Sequence, residues 1–287
     1  MRFALLLAAA LLTVPLCAQT SQAPPVTPPQ NNLPHDSPLN PKLPTVFIVG
    51  DSTARNGADL GWGDHFAIYF DTDRINVANR AIAGRSSRTY INEGHWDKVL
   101  TEMKPGDFVL LQMGHNDGGG DANSVAKDTK GRSSIHTLGE ETVDVPIKTP
   151  FTSGPLAGLT TETVHTYGWY MRKYIAETRA KGATPILLTV TIRNIWVDGA
   201  KPGSGKQIER DMGFRALDLQ LANDTHTPLA DMATLEADRL QALGPEKTAA
   251  YFPIDHTHSS AEAAALIAQD VATSLRIANL PLAKYLR

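Results

Sequence analysis

Four short blocks carry the residues able to do covalent chemistry, and each lies where an element begins or ends. Gly50-Asp51-Ser52-Thr53 closes an apolar run at 45–49, and Ala83-Gly84 comes soon after a second run at 75–79. Gly114-His115-Asn116-Asp117 follows a third at 108–112, and Asp255-His256-Thr257-His258 precedes an alanine-rich stretch at 260–277. A serine at a strand end is placed where a nucleophile must be, yet its hydroxyl is inert at neutral pH until a base takes its proton. Asp255 and His258 stand i, i+3, so one tight loop can carry a base together with the carboxylate that orients it. Gly84 admits close approach of a backbone N–H, because no Cβ intervenes, and Asn116 adds an amide donor. The chemistry these groups suit is acyl transfer through a serine. Two plainer roles compete: Asp255 as a cap for the final helix, and Gly114 to Asp117 as an Asx-turn. Asp255, His256 and His258 also suggest a metal, but no second cluster of histidines and carboxylates completes a ligand set.

Such groups need a rigid frame. Strand-like runs at 45–49, 75–79, 108–112, 184–190 and 228–232 alternate with helix-like segments at 62–70, 96–103, 162–180, 207–221, 235–242 and 260–277. That alternation predicts an α/β protein with a parallel sheet and helices on both faces. Residues 118–158 break the pattern, being rich in Gly, Ser and Thr with few large apolar side chains. A long irregular segment inside a domain is usually functional, and this one, coming straight after Asn116, is expected to wall the site.

Ser, Gly, Asn and Asp-x-x-His in this chain order resemble the SGNH (GDSL-type) serine esterase superfamily. The resemblance implies a flavodoxin-like three-layer α/β/α sandwich on a five-stranded parallel sheet ordered 2-1-3-4-5. Ser52, Gly84 and Asn116 would then leave adjacent strand ends, where open sheets bind ligands. It implies Ser52 as nucleophile, His258 rather than His256 as base, and Asp255 as its orienting carboxylate. The oxyanion hole would be formed by the N–H groups of Ser52 and Gly84 and the Asn116 amide. The Gly-x-Ser-x-Gly of the larger lipase fold is absent around Ser52.

Finer blocks narrow the likeness. Gly50-Asp-Ser-Thr-Ala54, Gly114-His-Asn-Asp-Gly-Gly119, Gly139-Glu-Glu-Thr-Val143 and Val164-His-Thr-Tyr-Gly-Trp-Tyr-Met-Arg-Lys173 are similar to the rhamnogalacturonan acetylesterase family of carbohydrate esterases. This resemblance implies hydrolysis of O-acetyl groups on pectin, and in some members xylan or small acetyl esters, with no cofactor and no metal. Arg85 and Arg88, just beyond Gly84, are candidates to meet a substrate carboxylate, with a surface ion pair as the competing role. The rival functions are a lipid- or small-ester-directed esterase or thioesterase of the same fold, and a non-catalytic carbohydrate-binding domain.

Among the 287 residues, 27 Lys and Arg against 30 Asp and Glu leave a formal charge of -3. That offers no field for nucleic acid or an anionic membrane surface, so the expected partner is an acetylated polysaccharide, without nucleic acid or stable membrane association. Met1-Arg2, an apolar run at 3–12 and Cys17-Ala18 read as a signal peptide at 1–18, not a membrane span. A Pro-rich linker at 19–44 and an esterase domain at 45–287 follow, and the expected location is secreted or periplasmic. Cys17 is the sole cysteine, so a chain cut after Ala18 holds neither disulfide nor thiolate ligand.

Overall fold

The computed structural model describes residues 39–57, 59–152, 154–197 and 206–287. The signal peptide expected at 1–18, with Cys17, and residues 19–38 of the linker lie outside the described residues.

Among the described residues, nine strands form three sheets. They are β1 Thr45–Val49, β2 Asn76–Asn79, β3 Phe108–Leu111, β4 Val143–Pro146, β5 Thr161–Val164, β6 Thr184–Leu188, β7 Trp196–Val197, β8 Gln207–Ile208 and β9 Leu229–Ala230. The α-helices that accompany them are α1 Ser87–Asn92, α2 His95–Glu102, α3 Ala122–Ala126, α4 Tyr167–Ala180, α5 Arg215–Thr225, α6 Met232–Ala249 and α7 Ala261–Ile277. The main sheet runs β2-β1-β3-β6-β9, every neighbouring pair parallel. This is the expected 2-1-3-4-5 order, and it sets the ends of β2, β1 and β3 side by side.

Parallel sheets are covered on both faces, so their strands read as continuous apolar runs. Alternate residues serve opposite cores. Val46, Ile48, Phe108, Leu110, Ile186 and Leu188 face Ile267, Val271 and Leu275 of α7 and the aromatics Trp62, Phe66 and Phe70. Phe47, Val49, Val109, Leu111 and Leu187 face Tyr90 of α1, Trp96 of α2 and Tyr167, Tyr170 and Tyr174 of α4. Each such large side chain contributes about 1.5–3 kcal/mol when fully buried. The strand ends that carry the site thus grow from strands buried on both faces.

Several expected elements are corrected. Residues 62–70 form two 3-10 segments, Trp62–His65 and Ala67–Tyr69, rather than one helix. The N–H groups of Trp62 and Gly63 donate to the carbonyls of Thr53 and Ala54, which draws this backbone onto the turn after β1. Residues 162–164 belong to β5, which pairs antiparallel with β4, and the helix starts only at Tyr167 behind its Thr166 cap. The alternation of Thr161-Glu-Thr-Val164 has the strand period of two, and its partner lies across the irregular 147–160. Gln207 and Ile208 likewise pair with Trp196 and Val197, so α5 begins at Arg215. The helix expected at 235–242 extends over α6, interrupted where Gly244 takes φ +79° before Pro245.

Candidate active site

The nucleophile's turn is built by its neighbours. Asp51, fully buried, accepts from the N–H and the hydroxyl of Thr53, both at 2.8 Å. The Thr53 hydroxyl accepts from Gln112 at 2.9 Å, and Gln112 accepts from the indole of Trp62 at 2.7 Å. Gln112 follows β3 directly, so this chain of bonds ties the ends of β1 and β3 together beneath Ser52. Ser52 itself is 8% exposed, held firmly yet open to a small ester.

His258 reaches Ser52 from the far end of the chain. Its Nε2 lies 2.9 Å from Ser52 Oγ, and its Nδ1 lies 2.7 Å from Asp255 Oδ2. The other carboxylate oxygen of Asp255 accepts the N–H groups of Thr257 at 2.7 Å and His258 at 2.8 Å. Burial alone would raise the Asp255 pKa, but the bonds from the His258 ring and these two N–H groups outweigh it and bring it down to about 2. An ionised carboxylate only accepts, so Nδ1 must carry the imidazole proton and Nε2 is left to accept from the serine. Asp255 does not cap α7; Ser260 does, accepting from Ala263 N–H. His256 is exposed, and its carbonyl accepts the N–H of Asn194 at 2.8 Å, which pins the loop.

Gly84 and Asn116 follow β2 and β3, the strands on either side of β1. Gly84 takes φ +78°, a conformation that strains any residue with a Cβ, so glycine is required by backbone shape as well as by close approach. Among the described residues, neither the Ser52 nor the Gly84 N–H is bonded to another protein group. Asn116 donates one amide hydrogen to the carbonyl of Arg85 at 3.0 Å, which leaves its second hydrogen to spare. Beneath it, buried Asp117 accepts from the N–H and hydroxyl of Ser87 and the hydroxyl of Ser134. Burial raises its pKa to about 6 despite those bonds. Asn79, at the end of β2, donates to Ala54 O and Asp64 Oδ1 and accepts from Ala81 N–H, which holds the loops around it.

The two arginine candidates separate. Arg88 is 4% exposed and is held by Glu162 through two bonds of 2.6 and 2.5 Å, and by the Ser133 carbonyl. Its guanidinium is therefore engaged in an ion pair, and that pair is buried rather than at the surface. Arg85 is only half-buried and pairs with Glu93 at 2.8 Å at the surface. Both border a cleft of about 740 Å³ that begins at Gly84 and is walled by residues 125–126, 128–132 and 145–152. Part of the irregular segment thus walls this cleft, stiffened by α3 and by β4 with its partner β5, and the lining includes Gly84 but not Ser52, Asn116 or His258.

Arg132, on that wall, is a site residue that no sequence signal marked. Its Nη1 donates to Asn116 Oδ1 at 2.8 Å and to the Gly84 carbonyl at 3.2 Å. Arg193, near the base loop, was equally unmarked, and its Nη2 donates to the His115 carbonyl at 3.1 Å. Neither follows a periodic or motif-like pattern. Among the described residues no group of three histidines, cysteines or carboxylates is placed to hold a metal ion. A hydroxyl, an imidazole and a carboxylate joined in this order can carry general-base attack by the serine on an acyl carbonyl.

Comparison with known proteins bears on this geometry. A rhamnogalacturonan acetylesterase of Emericella nidulans is 30% identical over 224 residues, covering 78% of this chain and 81% of its own. A probable rhamnogalacturonan acetylesterase of Bacillus subtilis, YesY, is 28% identical over 247 residues, 83% of this chain and 94% of its own. The crystal structure of the Bacillus subtilis protein YxiM superposes with a TM-score of 0.61 at 25% identity, covering 86% of this chain. This chain spans 59% of that structure's length. No family model matches the chain.

Proposed function

The chain belongs to the rhamnogalacturonan acetylesterase family of SGNH hydrolases, and on that footing we propose that it removes O-acetyl groups from an acidic plant polysaccharide, acetylated pectin foremost. It is a serine esterase and a carbohydrate acetylesterase. The observation that carries the mechanism is the 2.9 Å contact between Ser52 Oγ and His258 Nε2. Ser52 Oγ attacks the acetyl carbonyl while Nε2 takes its proton, and Asp255 stabilises the imidazolium so formed. The oxyanion is met by the N–H groups of Ser52 and Gly84 and by Asn116 Nδ2. The carbonyl re-forms, the sugar hydroxyl leaves with the proton from Nε2, and water then releases acetate by the same steps in reverse roles.

The preference for an acidic glycan is supported by the cleft beside Gly84. Lys98, Lys130 and Lys148 line it and have no ion partner among the described residues, unlike Arg85 and Arg88. Val145, Ile147 and Phe151 add apolar lining to the same cleft. Uronate carboxylates set along a chain of sugar rings suit such a mixture. The leader-like residues 1–18 support action outside the cytoplasm, where such polymers occur.

The rival reading, a lipid-directed esterase, predicts a different acyl preference. Each methylene buried in an acyl groove gains about 0.8 kcal/mol, so a lipase improves steadily from acetate towards octanoate. We expect p-nitrophenyl acetate to be fastest, with a steep fall by butyrate, and more acetate from acetylated rhamnogalacturonan than from acetylated xylan. Ser52→Ala should abolish turnover of every ester without changing the melting temperature. A series peaking at hexanoate or longer sinks the acetylesterase reading, and equal rates on both polymers withdraw the pectin preference. Full turnover by folded Ser52→Ala removes Ser52 as nucleophile.

A further inference from the structure

Arg132 stands where two of the proposed oxyanion donors are held. One guanidinium nitrogen serves both Asn116 Oδ1 and the Gly84 carbonyl. The arginine is itself fixed from behind. Its N–H and that of Ser133 both donate to Asp128 Oδ2 at 2.8 Å, and its carbonyl accepts the Ser86 hydroxyl at 2.6 Å. Ser86 in turn caps α1 through a reciprocal pair with Thr89. The cation therefore rests on a backbone braced by an Asx-type loop on one side and a helix start on the other.

The chemistry of the amide makes this contact directional. Asn116 has one acceptor oxygen and one NH2 group, whereas a guanidinium only donates. Turning the amide over would set NH2 against Arg132 and oxygen against the Arg85 carbonyl, losing both of its bonds at once. Arg132 thus forbids the flip, and with one amide hydrogen bound by Arg85 O, the remaining hydrogen is held in a single direction. Drawing charge onto Oδ1 also polarises the N–H opposite, because linked hydrogen bonds strengthen one another. On Gly84 the same group holds the carbonyl of a glycine, which lacks a Cβ and so has more backbone freedom than any other residue.

We propose that Arg132 is the positioning residue of the oxyanion hole, aiming the Asn116 amide and fixing the Gly84 backbone so that both donors meet the developing oxyanion. This rests on Gly84 and Asn116 being those donors. Arg132 also borders the cleft, so it must be told apart from a residue that binds sugar. A small uncharged ester makes that separation, since p-nitrophenyl acetate carries no sugar and no carboxylate.

The experiment is a double-mutant cycle on that ester, with melting curves for every variant. Removing an oxyanion donor typically lowers kcat by about 10²–10³, and Asn116→Ala should do so. Arg132→Met, which leaves the donors present but unaimed, should lower kcat by about 10–100-fold on the same grounds, with KM within about threefold. The double variant should be slower than Asn116→Ala alone by clearly less than the loss seen in Arg132→Met alone, because the Asn116 part of the effect is already gone and only the Gly84 part remains. Arg132→Lys should recover part of the lost kcat. Parental kcat in Arg132→Met overturns the proposal. A raised KM with kcat kept overturns it too, and so do additive losses in the double variant. If the Met variant has no cooperative melt, Arg132→Lys decides instead. A several-fold fall in its kcat at unchanged KM supports the proposal, and parental kcat or a raised KM overturns it. Parental kcat in Asn116→Ala would instead remove the oxyanion reading itself.

Discussion

Replacing Asp255 by asparagine should harm the enzyme more than deleting its side chain. The carboxylate now satisfies three donors: the N–H groups of Thr257 and His258 on Oδ1, and the His258 ring on Oδ2. An asparagine has only one oxygen for them. Keeping that oxygen on the two backbone donors turns NH2 towards His258 Nδ1, which must then give up its proton. The imidazole hydrogen moves to Nε2 and faces the Ser52 hydroxyl, so the base is blocked. The opposite orientation loses two hydrogen bonds, each worth about 1 kcal/mol. The blocked tautomer is thus favoured by about 2 kcal/mol, a factor of about 30. Loss of the charge-assisted bond to the imidazolium adds about 1.5–3 kcal/mol, or about 10–150-fold. Asp255→Ala suffers only this second loss, because Asp255 is 40% exposed and water can take the vacated place and accept the Nδ1 proton. The expected order in kcat/KM for p-nitrophenyl acetate is parent, then Ala, then Asn, with at least about fivefold between the variants if only half of that tautomer bias is realised. Equal or better activity in the asparagine variant, with both proteins melting cooperatively, would refute the tautomer argument.

Two further outcomes test the frame around the site. Arg88→Met should destabilise the protein by about 3–5 kcal/mol, because it leaves the buried Glu162 carboxylate with Asn92 as its remaining side-chain donor. A raised KM on pectin with unchanged stability to urea would return Arg88 to the substrate. Glu236 is 2% exposed and accepts the Ile192 N–H at 2.8 Å, next to the residues that pin the base loop. Burial first, with Asp270 adding and Arg239 opposing, raises its pKa from 4.5 to about 8. In that window the folded state holds a proton that the unfolded chain has released, so stability falls as pH rises through it. Glu236→Gln keeps an acceptor and does not titrate. Its stability relative to the parent should therefore grow between pH 5 and 8.5, by up to about 1.4 kcal/mol for each pH unit crossed. Urea melts showing identical pH dependence in both proteins would contradict this.

The sequence by itself determined the elements whose causes are local. β1, β3 and β6 are legible because a strand buried on both faces needs a short unbroken apolar run, and 45–49, 108–111 and 184–188 supply it. Ser52, Gly84 and Asn116 stand out because each lies just past a strand of the sheet, and the i, i+3 step from Asp255 to His258 lies within one turn. Only the tertiary structure decided which distant groups would meet. Arg88 pairs with Glu162 across 74 residues, and β4 finds β5 across the irregular 147–160. Arg132 meets Asn116 from a loop with no period to betray it. Close spacing is encoded by backbone preference over a few residues, whereas an ion pair or a hairpin depends on how the whole chain closes. Any arginine looks alike in sequence. The fold decided that Arg88 would be buried and that Arg132 would reach the candidate oxyanion site.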